Sequence, residues 1–245
     1  MRYDIRSRST GSQFSGFLPT GVKWLLISNV ALFVLYYFGV RLGYGQFFLL
    51  FALVPRAVLE QFTIWQLFTY MFLHDPLGFG HILFNMLSLW MFGADLERTW
   101  GTQRFLTYYF LCGVGAAICV IVANLFFGSL DTRTIGASGA IYGLLMAFGL
   151  LYPDRTVLFS FLFPIKAKYF VMILGAIAFL SSFGSNNGVS NVAHLGGMLF
   201  GYVYLRMKFR HVDWSYLGRQ YQQWKLQRAK KKFQVYMRKH GPGPM

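Results

Sequence analysis

The sequence predicts an all-α membrane protein, a bundle of six transmembrane helices, on three observations. Hydrophobic residues make up 56% of the 245, mean hydropathy is +0.45 and only 13% of residues are charged, a balance too apolar for a soluble domain. Six long runs carry no Asp, Glu, Lys or Arg. The basic residues cluster in alternate connections between those runs.

The runs are Trp24 to Val40, His81 to Ala94, Phe105 to Phe127, Ala137 to Leu151, Tyr169 to Phe183 and Asn191 to Leu205. Several are shorter than the ~20 residues a lipid-exposed helix needs, so the central ones are expected to be sheltered by longer neighbours. The resulting division is an amino-terminal segment (1–20), a six-helix domain (21–209) and a basic tail (210–245).

Six spans leave both termini on one side, and the basic residues choose that side. Four precede the first run, two (Arg98, Arg104) follow the second, three (Arg155, Lys166, Lys168) follow the fourth and eleven follow the sixth, together 20 of the 23. Only Arg41, Arg56 and Arg133 lie in the other connections. The expected placement is a cell membrane with both termini cytoplasmic. Residues 1–20 are polar, so no cleavable signal peptide is expected; being Arg- and Ser-rich, they leave a mitochondrial presequence as the alternative.

The formal charge of +15 is accounted for by this asymmetry and by the tail, and no nucleic-acid-binding motif accompanies it. The expected partner of the charge is the lipid bilayer. From 214 to 240, Trp214, Tyr216, Tyr221, Trp224, Phe233 and Tyr236 alternate with Lys and Arg, the pattern of an interfacial helix on an anionic leaflet, with a disordered basic tail as the other reading. Cys112 and Cys119 are seven positions apart on one helix, about 10 Å along its axis and too far for a disulfide, so both are read as packing residues.

Polar residues inside the apolar runs are the candidates for function. Ser138 stands in Gly136-Ala-Ser138-Gly139, where the chain enters the fourth run. A serine in an apolar helix is ordinarily a packing residue. Its position at a helix amino terminus changes the reading, because free N–H groups and the helix dipole favour negative charge there. His194 stands in Ala193-His194-x-x-Gly197-x-x-x-Gly201, and an intramembrane histidine is either an interhelical hydrogen-bonding group or a functional one. Gly139 with Gly143, and Gly197 with Gly201, form two small-residue stripes through which the fourth and sixth helices can cross closely. That crossing would bring Ser138 and His194 to one depth near the outer face, as nucleophile and base.

None of the eight acids falls within the fourth or sixth run, so a dyad is expected in place of a carboxylate-oriented triad. Tyr142, one turn after Ser138, is either a core aromatic or a platform for the imidazole. His81 and Asn85, four apart at the start of the second run, share a face and are read as oxyanion donors, with helix-to-loop hydrogen bonding as the structural alternative. No zinc motif of the His-Glu-x-x-His type and no pair of intramembrane aspartates is present; no metal or cofactor is expected.

Four motifs in this order resemble the rhomboid family of intramembrane serine proteases. They are His81-x-x-x-Asn85, Gly93-x-x-x-Glu97-Arg98, Gly136-x-Ser138-Gly139 and Ala193-His194-x-x-Gly197-x-x-x-Gly201, and the likeness runs from about Trp65 to Leu205. The resemblance implies a rhomboid-like six-helix bundle with an interfacial first loop and an outward-opening cavity. It also implies a serine endopeptidase acting on transmembrane protein substrates, with Ser138 and His194 catalytic and His81 and Asn85 at the oxyanion. The uncharged loop Ser181 to Asn191 would cap the cavity, and the fifth span would admit substrate laterally. The chain departs from the family at Trp65-Gln66, where Trp-Arg is frequent, which bears on how the first loop is anchored.

Two other classes are compatible with a polar cluster in a helical membrane protein. A catalytically inactive rhomboid-like factor would bind membrane clients, although such proteins usually lack the serine or the histidine. A transporter or channel would need polar residues through the full depth and commonly shows internal repeats, neither of which is present here.

Overall fold

The computed structural model describes residues 18–159, 163–183, 188–209 and Gly241. Most of the amino-terminal segment, residues 184–187 of the Ser181 to Asn191 loop and nearly all of the basic tail lie outside the described residues. Two compact units divide the chain, Met1–Tyr202 and Val203–Met245. The candidate site belongs to the first.

The chain begins with α1 (Thr20–Arg41). A long connection follows, containing α2 (Gly45–Leu49), α3 (Pro55–Glu60), α4 (Gln66–Thr69) and a 3-10 turn (Tyr70–Phe72). Next comes α5 (Phe79–Ser88), which continues through a π-helical turn (Leu89–Gly93) into α6 (Ala94–Trp100). The remainder comprises α7 (Thr102–Phe127), α8 (Ser138–Leu151), α9 (Ala167–Ser181) and α10 (Gly188–Phe209).

Each apolar run of the sequence lies on one of these helices, with ends shifted by a few residues. The second is longer than its charge-free run, because the helix carries on past Asp95 and Glu97 to Trp100. One departure from an all-helical expectation is a hairpin between α8 and α9, β1 (Thr156–Phe159) and β2 (Phe163–Lys166), paired antiparallel from Thr156 opposite Lys166 to Phe159 opposite Phe163. It satisfies backbone groups in a stretch where Pro153 and Pro164 interrupt helix.

By length and composition alone α1 and α7 can cross a membrane, with mean hydropathy 1.5 and 2.4; α8 and α9 are shorter apolar helices. α7 is the central post. Tyr108, Tyr109, Cys112, Ala116 and Val120 along it are fully buried, and glycines let α8 and α10 approach. A Cβ on Gly143 would press on Cys112 and lie 3.1 Å from the Gly197 carbonyl, and one on Gly197 would collide with the carbonyl of Gly139. The α8 and α10 backbones therefore touch directly, as the two glycine stripes require.

The first turn of α1 is capped from outside. Glu97, 3% exposed, accepts hydrogen bonds from the N–H groups of Gly21 (2.7 Å) and Val22 (2.8 Å) and from the Thr102 hydroxyl (2.6 Å). One carboxylate thus satisfies orphan donors of α1 and ties them to the α6–α7 corner.

Candidate active site

Ser138 is the first residue of α8, and the chain reaches it along a path held at several points. Leu53 and Thr134 exchange both backbone hydrogen bonds (3.0 and 2.9 Å), Arg56 N donates to the Leu130 carbonyl, and Gly136 N donates to the Tyr70 carbonyl at 2.9 Å. Arg56 also forms an ion pair with Asp131 at 2.8 Å, which holds the Asp131 carboxyl below its ordinary value. Gly136 turns the chain at φ +119°, a conformation side chains other than glycine rarely adopt. A Cβ there would stand 2.8 Å from His81 Nε2.

The long connection before α5 is itself anchored. Gln66, 3% exposed, accepts from Val54 N at 3.0 Å and donates to the Leu50 carbonyl at 3.2 Å, where Trp65 Nε1 also donates. An amide does here with two bonds what the departure from Trp-Arg had left open.

Within this frame Ser138 Oγ lies 2.9 Å from His194 Nε2, across fifty-six positions of sequence. Both are half-buried. His194 Nδ1 is buried and has no hydrogen-bond partner among the described residues, so no carboxylate orients the ring. The ring rests on Tyr142, with centroids 4.0 Å apart and planes within 1° of parallel.

His81 and Asn85 project from the first turns of α5 over the Gly136 turn; Asn85 Nδ2 would lie 3.8 Å from a Cβ built on Gly136. That amide nitrogen is buried with no partner among the described residues, which leaves a donor in reserve. Ser138, Tyr142, His194, His81, Asn85 and Gly136 all line one cavity of about 650 Å³. Its other walls are mostly apolar, with Phe84 from α5, Leu145 from α8, and Phe170 and Leu174 from α9, interrupted by Ser88, Thr134 and Ser190. The six residues read from sequence are therefore brought together. Gly139, Gly197 and Gly201 sit behind them at helix contacts, Gly201 against the Tyr108 hydroxyl.

His74 was not singled out by the sequence. It is fully buried, with its ring 5.1 Å from that of His81. The available signal was a lone histidine at the end of Tyr70-Met-Phe-Leu-His74, seven positions before His81.

A hydroxyl at a helix amino terminus beside an imidazole, with the unpaired Asn85 amide on the same cavity, is an arrangement compatible with acyl transfer. Residues 61–211 match the model of the rhomboid domain. The chain belongs to the rhomboid family. It is 31% identical over 177 residues to rhomboid protease GluP of Bacillus subtilis (strain 168), covering 71% of this chain and 32% of that protein. It is 26% identical over 211 residues to RHOMBOID-like protein 12, mitochondrial, of Arabidopsis thaliana, covering 76% and 61%. To rhomboid protein 1, mitochondrial, of Saccharomyces cerevisiae it is 32% identical over 136 residues, covering 51% and 37%. The matches thus span between about a third and three fifths of the length of these relatives. Membership of the rhomboid family, together with the apolar helices, makes the chain a mainly helical integral membrane protein.

Proposed function

We propose that the chain is an intramembrane serine endopeptidase in which Ser138 is the nucleophile and His194 the general base. The observation that carries this reading is the 2.9 Å approach of Ser138 Oγ to His194 Nε2 at the mouth of α8, inside a cavity that also presents the unpaired Asn85 amide nitrogen. His194 Nε2 accepts the hydroxyl proton as Oγ attacks the scissile carbonyl carbon. The resulting oxyanion accepts hydrogen bonds from Asn85 Nδ2, from His81 and from the Ser138 N–H. The imidazolium then gives its proton to the departing amine, leaving an acyl-enzyme that water hydrolyses by the same path in reverse.

The substrates in this reading are transmembrane segments of other proteins, cut near the outer boundary. Such a segment must unwind locally first, since a helical peptide bond is shielded and already hydrogen-bonded. The six long helical segments all span, the connection from α2 to the 3-10 turn lies along the interface, and both termini are cytoplasmic. Residues 1–20 and 210–245 flank a protease domain of residues 21–209.

The test is cleavage by the purified protein in liposomes of a single-span substrate bearing a small residue near its outer boundary. Wild type cleaves it, and Ser138→Ala and His194→Ala do not; cleavage that persists in Ser138→Ala overturns the assignment. Labelling of wild type, and not of Ser138→Ala, by a fluorophosphonate separates a protease from an inactive membrane-protein binding factor without knowledge of the substrate.

A further inference from the structure

A second cavity, of about 400 Å³, runs between the outer half of α1 and the residues that lead into α5. Its size is within the range of small-ligand sites, about 300–1,000 Å³. Phe33, Val34 and Phe38 form one wall and Leu77 and Phe79 the other, with Phe33 and Phe79 edge to face at 6.5 Å. Phe38, Leu77 and Phe79 are all more than half exposed, on a chain that resides in a membrane.

At one end of this apolar trough stands Arg41, the last residue of α1. Its guanidinium lies over the Tyr37 ring at 5.3 Å and donates to the Tyr37 hydroxyl at 3.3 Å. Among the described residues no carboxylate is within ion-pairing distance of it. A trough that accepts hydrocarbon, ending in one pre-oriented guanidinium with no ion-pair partner among the described residues, is complementary to an amphiphile with a phosphate head.

We propose that this groove binds one phospholipid, its acyl chain between α1 and Phe79 and its phosphate on Arg41. Phe79 opens α5 two positions before His81. A chain lodged there braces the turn from which His81 and Asn85 project. Binding itself does not depend on the proteolytic reading.

The full chain, reconstituted in phosphatidylcholine vesicles doped with phosphatidylglycerol carrying a photoactivatable acyl chain, tests the proposal by mapping adducts after irradiation. Adducts are expected to concentrate on residues 33–41 and 76–79, with labelling of the exposed α7 residues Ile118, Val122 and Phe126 as the reference for bulk lipid. Arg41→Gln should lower the groove adducts about fivefold, the effect of one basic residue at an anionic head group. Val34→Trp, which fills the trough and keeps Arg41, should remove them while thermal unfolding of the variant stays close to wild type. Adducts spread evenly over α1 and α7 and insensitive to both substitutions overturn the proposal, as do copy-to-copy crosslinks through the groove.

Discussion

The Tyr142 ring lies flat against the His194 imidazole, 4.0 Å between centroids and 1° between planes. Because Tyr142 follows Ser138 by one turn, a single face of α8 carries both the hydroxyl and the platform that holds its partner ring. If the stacking orients the base, Tyr142→Phe should keep most of the activity and Tyr142→Ala should lower kcat by roughly 2- to 10-fold, the worth of an aromatic pair. Equal rates for Ala and Phe would reduce Tyr142 to a core residue.

Asn85 presents a buried amide nitrogen without a partner. As an oxyanion donor its removal should be felt in the transition state and not in the resting protein. Asn85→Ala should lower kcat by roughly 10- to 1000-fold with KM little changed. A variant altered only in Tm would make the side chain structural.

Gly136 combines φ +119° with a virtual Cβ 2.8 Å from His81 Nε2. Gly136→Ala should therefore cost about 1–3 kcal/mol through backbone strain and displace His81 as well. Unfolding in a mild denaturing detergent would show the first effect, and the cleavage rate the second.

Glu97 caps α1 from the middle of α6. Glu97→Ala leaves buried N–H groups of Gly21 and Val22 unpaired and should destabilise by about 2–4 kcal/mol, while Glu97→Gln, which keeps an acceptor, should lose less. A Tm series of the three proteins checks the order; an unchanged Glu97→Ala would mean that water reaches the α1 terminus.

The Arg56–Asp131 pair ties the connection before α5 to the strand of chain entering Ser138. The Asp131 carboxyl is held below its ordinary value, first by the hydrogen bonds from Arg56 and then by its charge. A depressed carboxyl contributes stability that is present above its unfolded value and lost as pH falls through the folded one. The Tm gap between wild type and Asp131→Asn, small because both groups are exposed, should be present at neutral pH and close below about pH 4. A gap that persists at pH 2 would assign the effect to something other than this ionisation.

Most of the helices were legible because apolarity and helix length are local properties. The beginning of α8 at Ser138 was legible too, from glycines on either side of the serine at the end of a polar stretch. The expectation of a pair without a carboxylate came from the absence of an acid in the fourth and sixth runs, and His194 Nδ1 has no hydrogen-bond partner among the described residues. What stayed hidden depends on contacts across long sequence separations. Gln66 looked like a departure from a motif, yet it bonds to Val54 and Leu50. Glu97 looked like the charged end of a span, yet it caps a helix seventy-five residues earlier. His74 carries no periodic signal and acquires its place only when the turn before α5 brings it against His81.

The sequence by itself determined that this is a helical membrane protein, and which polar residues stand where hydrocarbon is expected. Those are matters of composition and order along one chain. Only the tertiary structure decided that Ser138 and His194 meet, that Tyr142 lies beneath the imidazole, and that Asn85 faces the turn at Gly136. These depend on how deeply α8 and α10 approach and at what register, and that is set where Gly143, Gly139 and Gly197 let two backbones touch.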